Sequence, residues 1–106
     1  MEIIISTTPE VPGKKIKKIL GIARGNTVRS RNIGRDLGAA LKNMVGGEIK
    51  TYTEMLSQAR DEAINRMVND AQAMGADAVV NVRFMTSAIM GASAEMLAYG
   101  TAVKLS

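Results

Sequence analysis

The chain is 106 residues long and 46% hydrophobic, enough for one globular domain with a thin core that buries a little over ~60% of the unfolded surface. Fourteen Lys+Arg oppose ten Asp+Glu, a net +4, but the aromatics are only Tyr52, Phe84 and Tyr99, so base stacking has little material and no specific nucleic-acid partner is expected. Cysteine and histidine are both absent, which excludes disulfides, zinc sites of the Cys/His type, and Ser-His-Asp or Cys-His catalysis.

The opening "MEIIIS" is too short for the apolar region of a signal peptide. No run approaches the ~18 apolar residues of a membrane span. A cytoplasmic protein without a membrane partner is expected. The β-branched run reads as a strand over Glu2 to Thr7. "TTPEVPG" then turns the chain, because Pro9 and Pro12 cannot donate to a ladder.

"KKIKKILGIARGNTVRSR" reads as a long strand with a bulge, or as a hairpin turning near "RGN". Ile16, Leu20 and Ile22 fall on one side of its period-2 pattern. Lys14, Lys15, Lys17 and Lys18 suit either a phosphate-tracking patch or the protection of a sheet edge. "NIGRDLGAALKNMVGG" follows as a helix, with Asn32 as N-cap and Gly46-Gly47 as stop. Gly34 and Gly38 share one helical face, which suits close approach of another backbone.

"TYTEMLSQARDEAINRMVNDAQAMGA" is the clearest element. Thr51 and Glu54 form a capping box. Met55, Ala59, Ala63, Met67, Ala71 and Met74 run down one side at helical spacing. Glu62 and Arg66 are an i,i+4 pair in the favourable order, and Gly75 ends a helix about 36 Å long. "ADAVVNVRFMTSAIM" is a strand in which Val80, Val82 and Phe84 alternate with Val79, Asn81, Arg83 and Met85. "AEMLAYGTAVKL" returns with Leu97, Tyr99, Thr101, Val103 and Leu105 on one face, and small Ala98, Gly100 and Ala102 on the other. The expectation is a single α+β domain over 1–106, ordered β-β-α-α-β-β. Two hairpins flank two helices, and a largely antiparallel sheet is packed by the long helix.

Three stretches, "VGGEIKTYTEMLSQARDEAINRM", "GADAVVNVRF" and "AYGTAV", resemble the YbjQ family of small prokaryotic proteins from about Leu20 to Lys104. The resemblance implies an α+β subunit assembling into a ring-shaped homopentamer. It implies no established reaction. The family carries a heavy-metal-binding label, but no Cys or His is present to supply soft or borderline ligands. No cofactor is expected. The carboxylates Glu48, Glu54, Asp61, Asp77 and Glu95 have no calcium-loop spacing.

Three functions remain to compare. The first is a homo-oligomeric interaction or scaffold protein. It draws on Gly34 and Gly38, the alanine stripe, the small face of the last strand and eight methionines that fill irregular contacts. Glu54 and Asp61 would be subunit contacts. The second is a small-anion or small-ligand binder with sites between subunits. In "VRSRNIGRD", Arg29, Arg31 and Arg35 either converge on an anion near a helix N-terminus or form a seam with Asp36, Glu54 or Asp61 of a neighbour. The third, an enzyme, finds no nucleophile with an evident base, and no catalytic role is expected.

Overall fold

Four strands and one helix make up the described residues, which are 2–29, 47–88 and 94–106. In this computed structural model the order is β1 (Ile4–Ile5), β2 (Ile16–Arg29), α1 (Gly47–Ala73), β3 (Ala78–Ala88) and β4 (Ala94–Leu105). The strands form one sheet, β1-β3-β4-β2. β3 and β4 are an antiparallel hairpin, and β2 pairs antiparallel with the far side of β4.

The expected hairpin between the first two strands does not form. β1 is two residues long rather than Glu2 to Thr7, and it runs parallel to β3. The residues after it are claimed by β3 instead: Val82 N–H donates to the Ser6 carbonyl and Asn81 N–H to the Thr8 carbonyl, both at 3.0 Å. The Arg83 guanidinium donates to the Thr7 carbonyl at 2.9 Å. The proline loop therefore crosses the end of the sheet, and its Val11 closes over Ala78, Val80 and Val103.

β2 is one continuous strand of 14 residues, with pairing irregularities between Ile16 and Lys18 and between Ile19 and Gly21. The bulged strand is the reading that holds, and there is no turn at "RGN". The bulges also correct the expected facing. Leu20 packs into the core while Ile16 and Ile22 are exposed, because each extra residue shifts the period-2 pattern by one. Asn81 does the same in β3. Its φ of 54° is left-handed, a conformation that asparagine tolerates better than most residues. The register slips between Val80 and Arg83. So Val79 and Val82 join the main core and Val80 joins the small one, contrary to the alternation expected from sequence.

The first expected helix, Asn32 to Gly47, lies outside the described residues apart from Gly47. That residue opens α1 rather than stopping a helix before it. Thr51 is consequently a full turn inside α1 and is not an N-cap, so the capping box with Glu54 is not the start of this helix. At 27 residues, α1 is about 40 Å long. Its end follows expectation. Gly75, at φ 80°, donates to the Gln72 carbonyl, and Ala76 donates to the Ala71 carbonyl. This pair of bonds is a Schellman motif that satisfies the last carbonyls.

The stripe Ala59, Ala63, Met67 and Ala71 is buried against Ala23, Ala98 and Ala102. Small residues on both sides bring the backbones together. A Cβ on Gly25 would sit 2.7 Å from the Arg66 carbonyl carbon and closer still to the Met67 nitrogen and the Ala63 carbonyl oxygen. A Cβ on Gly100 would meet Val79 Cγ1 at 2.6 Å and the Val80 carbonyl oxygen at 2.8 Å. The small face expected for the last strand is real: α1 packs on Ala98 and Ala102, and at Gly100 it is β3 that closes in.

Candidate interaction surface

The sheet is covered unequally. α1 lies over β2 and β4 and scarcely touches β3. Among the described residues the opposite face is covered only at one end, by Val11 and its loop. Beyond that cap, Ile22, Val28 and Met85 project with 68%, 52% and 56% of their surface exposed. Half-buried Leu97, Tyr99 and Thr101 lie between them. The registers Ile22↔Thr101, Asn26↔Leu97 and Met85↔Leu97 put these side chains on one surface across three strands. Polar residues interrupt it: Arg24 and Arg83 lie opposite Tyr99 from its two sides, and Asn26 Nδ2 donates to Glu95 Oε2 at 3.1 Å on the same face. Water against so much aliphatic surface is costly, at roughly 25 cal/mol per Å², and uncovered apolar patches of this kind mark contact sites.

A second apolar concavity lies on the α1 side. Because the helix leaves β3 uncovered, a groove of about 170 Å³ opens between Ile5, Ser6, Thr7, Ile64, Val82 and Phe84. Phe84 is 44% exposed along it.

The two long edges of the sheet are also unlike. On the outer edge of β2, Arg24 N–H donates to Asp70 Oδ2 at 3.0 Å, and Arg66 Nη1 donates to the Asn26 carbonyl at 2.6 Å. Arg66 is in turn held by Glu62, the expected i,i+4 pair, at 2.5 Å. Thr27 Oγ1 donates to the Ala59 carbonyl in the interior. Lys17 and Lys18 stand exposed on the same strand, with Lys14 and Lys15 just before it. Lysines on a sheet edge oppose pairing with other strands, so edge protection is the role their position fits.

Among the residues singled out from sequence, Glu54 and Asp61 are exposed on α1, and neither is joined to the surface just described. Arg29 is the last residue of β2. Its side chain, and Arg31, Arg35, Gly34, Gly38 and Asp36, lie outside the described residues, as does any arginine site built from them. Asp77 stands at the other end of the sheet, where it accepts from Leu105 N–H at 2.9 Å and pairs with Lys104 at 3.9 Å. Sequence reasoning missed the outer-face patch and the Asp70–Arg66 clamp. The alternation of Leu97 and Tyr99 was the signal available for the patch. Nothing local announces the clamp, because it joins residues some forty positions apart.

Among the described residues no group of three or more acidic, cysteine or histidine side chains converges, and no helix is long and apolar enough to cross a membrane.

The model of a family described as "Putative heavy-metal-binding" (YbjQ) matches residues 3–106. A "UPF0145 protein" of Methanoculleus marisnigri is 62% identical over 96% of this chain and 95% of its own length. One from Archaeoglobus fulgidus is 61% identical over 98% and 96%. A crystal structure from Pediococcus pentosaceus, titled a protein with unknown function of the DUF74 family, superposes with a TM-score of 0.65 over 98% of each chain. At 18% identity it speaks to the fold alone. With no Cys or His anywhere, metals that take thiolate or imidazole ligands, such as zinc, lack their preferred donors, and the thioethers of eight methionines are the soft ligands present. On the whole-length family match and on relatives near 60% identity, the chain belongs to the YbjQ family.

Proposed function

We propose that this chain is a non-enzymatic, self-assembling interaction protein, with the closed homopentamer that the family resemblance implies as its assembled form. The observation that carries the reading is the outer sheet face of exposed Ile22, Val28 and Met85 and half-buried Leu97 and Tyr99, over which no described element packs. A second support is shape. The radius of gyration is 16.8 Å, with extents of 54 × 25 × 20 Å, whereas a compact chain of this length would have ~13 Å. A subunit this elongated has a large surface for its core, and packing of copies is the ordinary remedy. The small-anion reading depends on the side chains of Arg29, Arg31 and Arg35, and it draws no support from the described residues.

Native mass spectrometry at micromolar concentration tests the proposal. Five 11.3 kDa chains, about 56 kDa, are expected, and a monomer overturns it. Ile22→Glu places a charge in the patch and shifts the population toward single subunits that still melt cooperatively. Calorimetry with zinc, copper and nickel on metal-stripped protein is expected to show no stoichiometric site.

A further inference from the structure

We propose that the end of the sheet built from Lys14 to Ile19 and Lys104 docks on the surface of an anionic lipid bilayer. Its lysines meet the headgroups, and its exposed isoleucines enter between them. Docking of this kind does not depend on self-assembly, and it departs from the expectation of no membrane partner.

Lys14, Lys15, Lys17, Lys18 and Lys104 are five of the chain's seven lysines. All five are exposed, and the fold gathers them at one end. Lys18 pairs with Lys104 across β2 and β4, and Ser106 N–H donates to the Lys15 carbonyl at 3.0 Å. Lys14 lines a cavity with Asp77 and Leu105. The nearby carboxylates are Glu2 beside Lys14, Glu10 next to Val11, and Asp77. The lysines outnumber them. Asp77 is moreover turned inward by Leu105 N–H, with its side chain 22% exposed, so the outer surface of this end is positive.

Edge protection accounts for the lysines but not for the isoleucines set among them. The two irregularities of β2 decide where these point. They bring Ile16, Ile19 and Ile22 opposite Leu105, Val103 and Thr101, which are alternate residues of β4. The three isoleucines therefore share the outer face, in place of the ordinary alternation. Ile22 belongs to the patch already described. Ile19 is 67% exposed and Ile16 38%, and both stand among the lysines.

Charge and side-chain type select the partner. A second copy is itself basic, at net +4. A nucleic acid is gripped best by arginines, whose planar fork matches phosphates and base edges, and by aromatic rings that stack on bases. The stretch from Lys14 to Ile19 and Lys104 holds neither. Clustered lysines beside exposed aliphatic side chains suit an anionic bilayer, where the ammonium groups are drawn to the headgroups and the aliphatic ends to the acyl boundary. Such docking needs no spanning helix.

The chain has no tryptophan, so Ile19→Trp makes a single fluorescent reporter. Vesicles of phosphatidylglycerol are expected to shift its emission to the blue, and vesicles of phosphatidylcholine to leave it unmoved. Asp61→Trp, exposed on α1, is the control and should not respond. The wild type should sediment with the phosphatidylglycerol vesicles. Lys14→Gln, Lys15→Gln and Lys17→Gln together should weaken that binding at least ten-fold, with circular dichroism and oligomeric state unchanged. If the triple variant misfolds or changes its oligomeric state, the wild type in 1 M salt, where screening shortens to ~3 Å, decides the matter by the same loss. No response of Ile19→Trp to either vesicle overturns the proposal, as does an equal response to both. Binding that survives the loss of the lysines, or the added salt, overturns it too. A response of Asp61→Trp equal to that of Ile19→Trp places the contact elsewhere. Wild-type binding to a DNA duplex as tight as to the vesicles reveals a polyanion site without preference for lipid. Either result is likewise fatal to it.

Discussion

The two faces of the sheet are built from opposite kinds of residue. The face under α1 is paved with Ala23, Gly25, Ala98, Gly100 and Ala102, and the helix answers with alanines of its own. The other face carries Ile22, Val28, Met85, Leu97 and Tyr99, mostly in the open. A chain that wanted only a stable monomer would place its bulky aliphatics between helix and sheet. Here the intramolecular core works by close approach of backbones, with Met67 as the one large, fully buried helix side chain among the described residues. The bulky residues are left for the side with no covering element among the described residues. The lesson is that size and burial are decoupled in this fold: small residues carry folding, and large ones are available for association.

Substitutions that enlarge the small face should do the most damage. Gly25→Val drives carbon atoms into the α1 backbone, which cannot rotate away as a side chain can. A loss of about 3 kcal/mol or more is expected, seen in urea denaturation as a much lower midpoint or as failure to fold. If Gly25→Val melts like the wild type, the close approach is absent and the contrast between faces collapses. Met67→Ala comes next. It empties the fully buried site in the main core and should cost about 2–5 kcal/mol, with the larger value if the alanine neighbours cannot close in.

The smaller effects sharpen the contrast from the other side. Lys18 is paired directly with Lys104 across β2 and β4, and like charges in that relation repel. Lys18→Glu should raise the unfolding free energy by a few tenths to about 1 kcal/mol, and the gain should fade in 1 M salt, where screening shortens to ~3 Å. A gain that persists in salt would point to a different cause. The smallest expected effect is that of Ile22→Ser on the isolated subunit, within about 0.5 kcal/mol, because the side chain touches little of its own chain. A loss of several kcal/mol there would show that the outer face is already covered within one subunit.

How much of this was legible in the sequence follows from which contacts are local. The helical stripe from Ala59 to Ala71, the Gly75 stop and the alternation of β4 are repeating local patterns, and the structure bears them out. The pairing of β2 with β4 joins residues from opposite ends of the chain, and no periodicity encodes a distant partner. The bulges at Asn81 and Gly21 each re-aim everything beyond them, so a correct strand assignment still misplaced Val80, Val82 and Leu20. Gly47 was misread because glycine stops helices more often than it starts them. The surface that matters most here was visible only in part. Leu97 and Tyr99 shared a face in the sequence, but their neighbours Ile22 and Met85 reach that face only through the sheet order. The arginines that drew attention first fall outside the described residues, apart from the backbone of Arg29.

The pairing of Ile16 with Leu105 also governs how the protein is made. Nearly the whole chain separates these two residues, and β2 has no other strand to lean on among the described elements. During synthesis β2 emerges well before its partner and must wait, with its isoleucines unpaired, until β4 has left the ribosome. The β3–β4 hairpin, closed by a short connection, is the natural nucleus, and β2 docks onto it late. Folding governed by contacts so distant in sequence is slow for the size of the domain. A chain cut short before Ala94 would have no place for β2 at all.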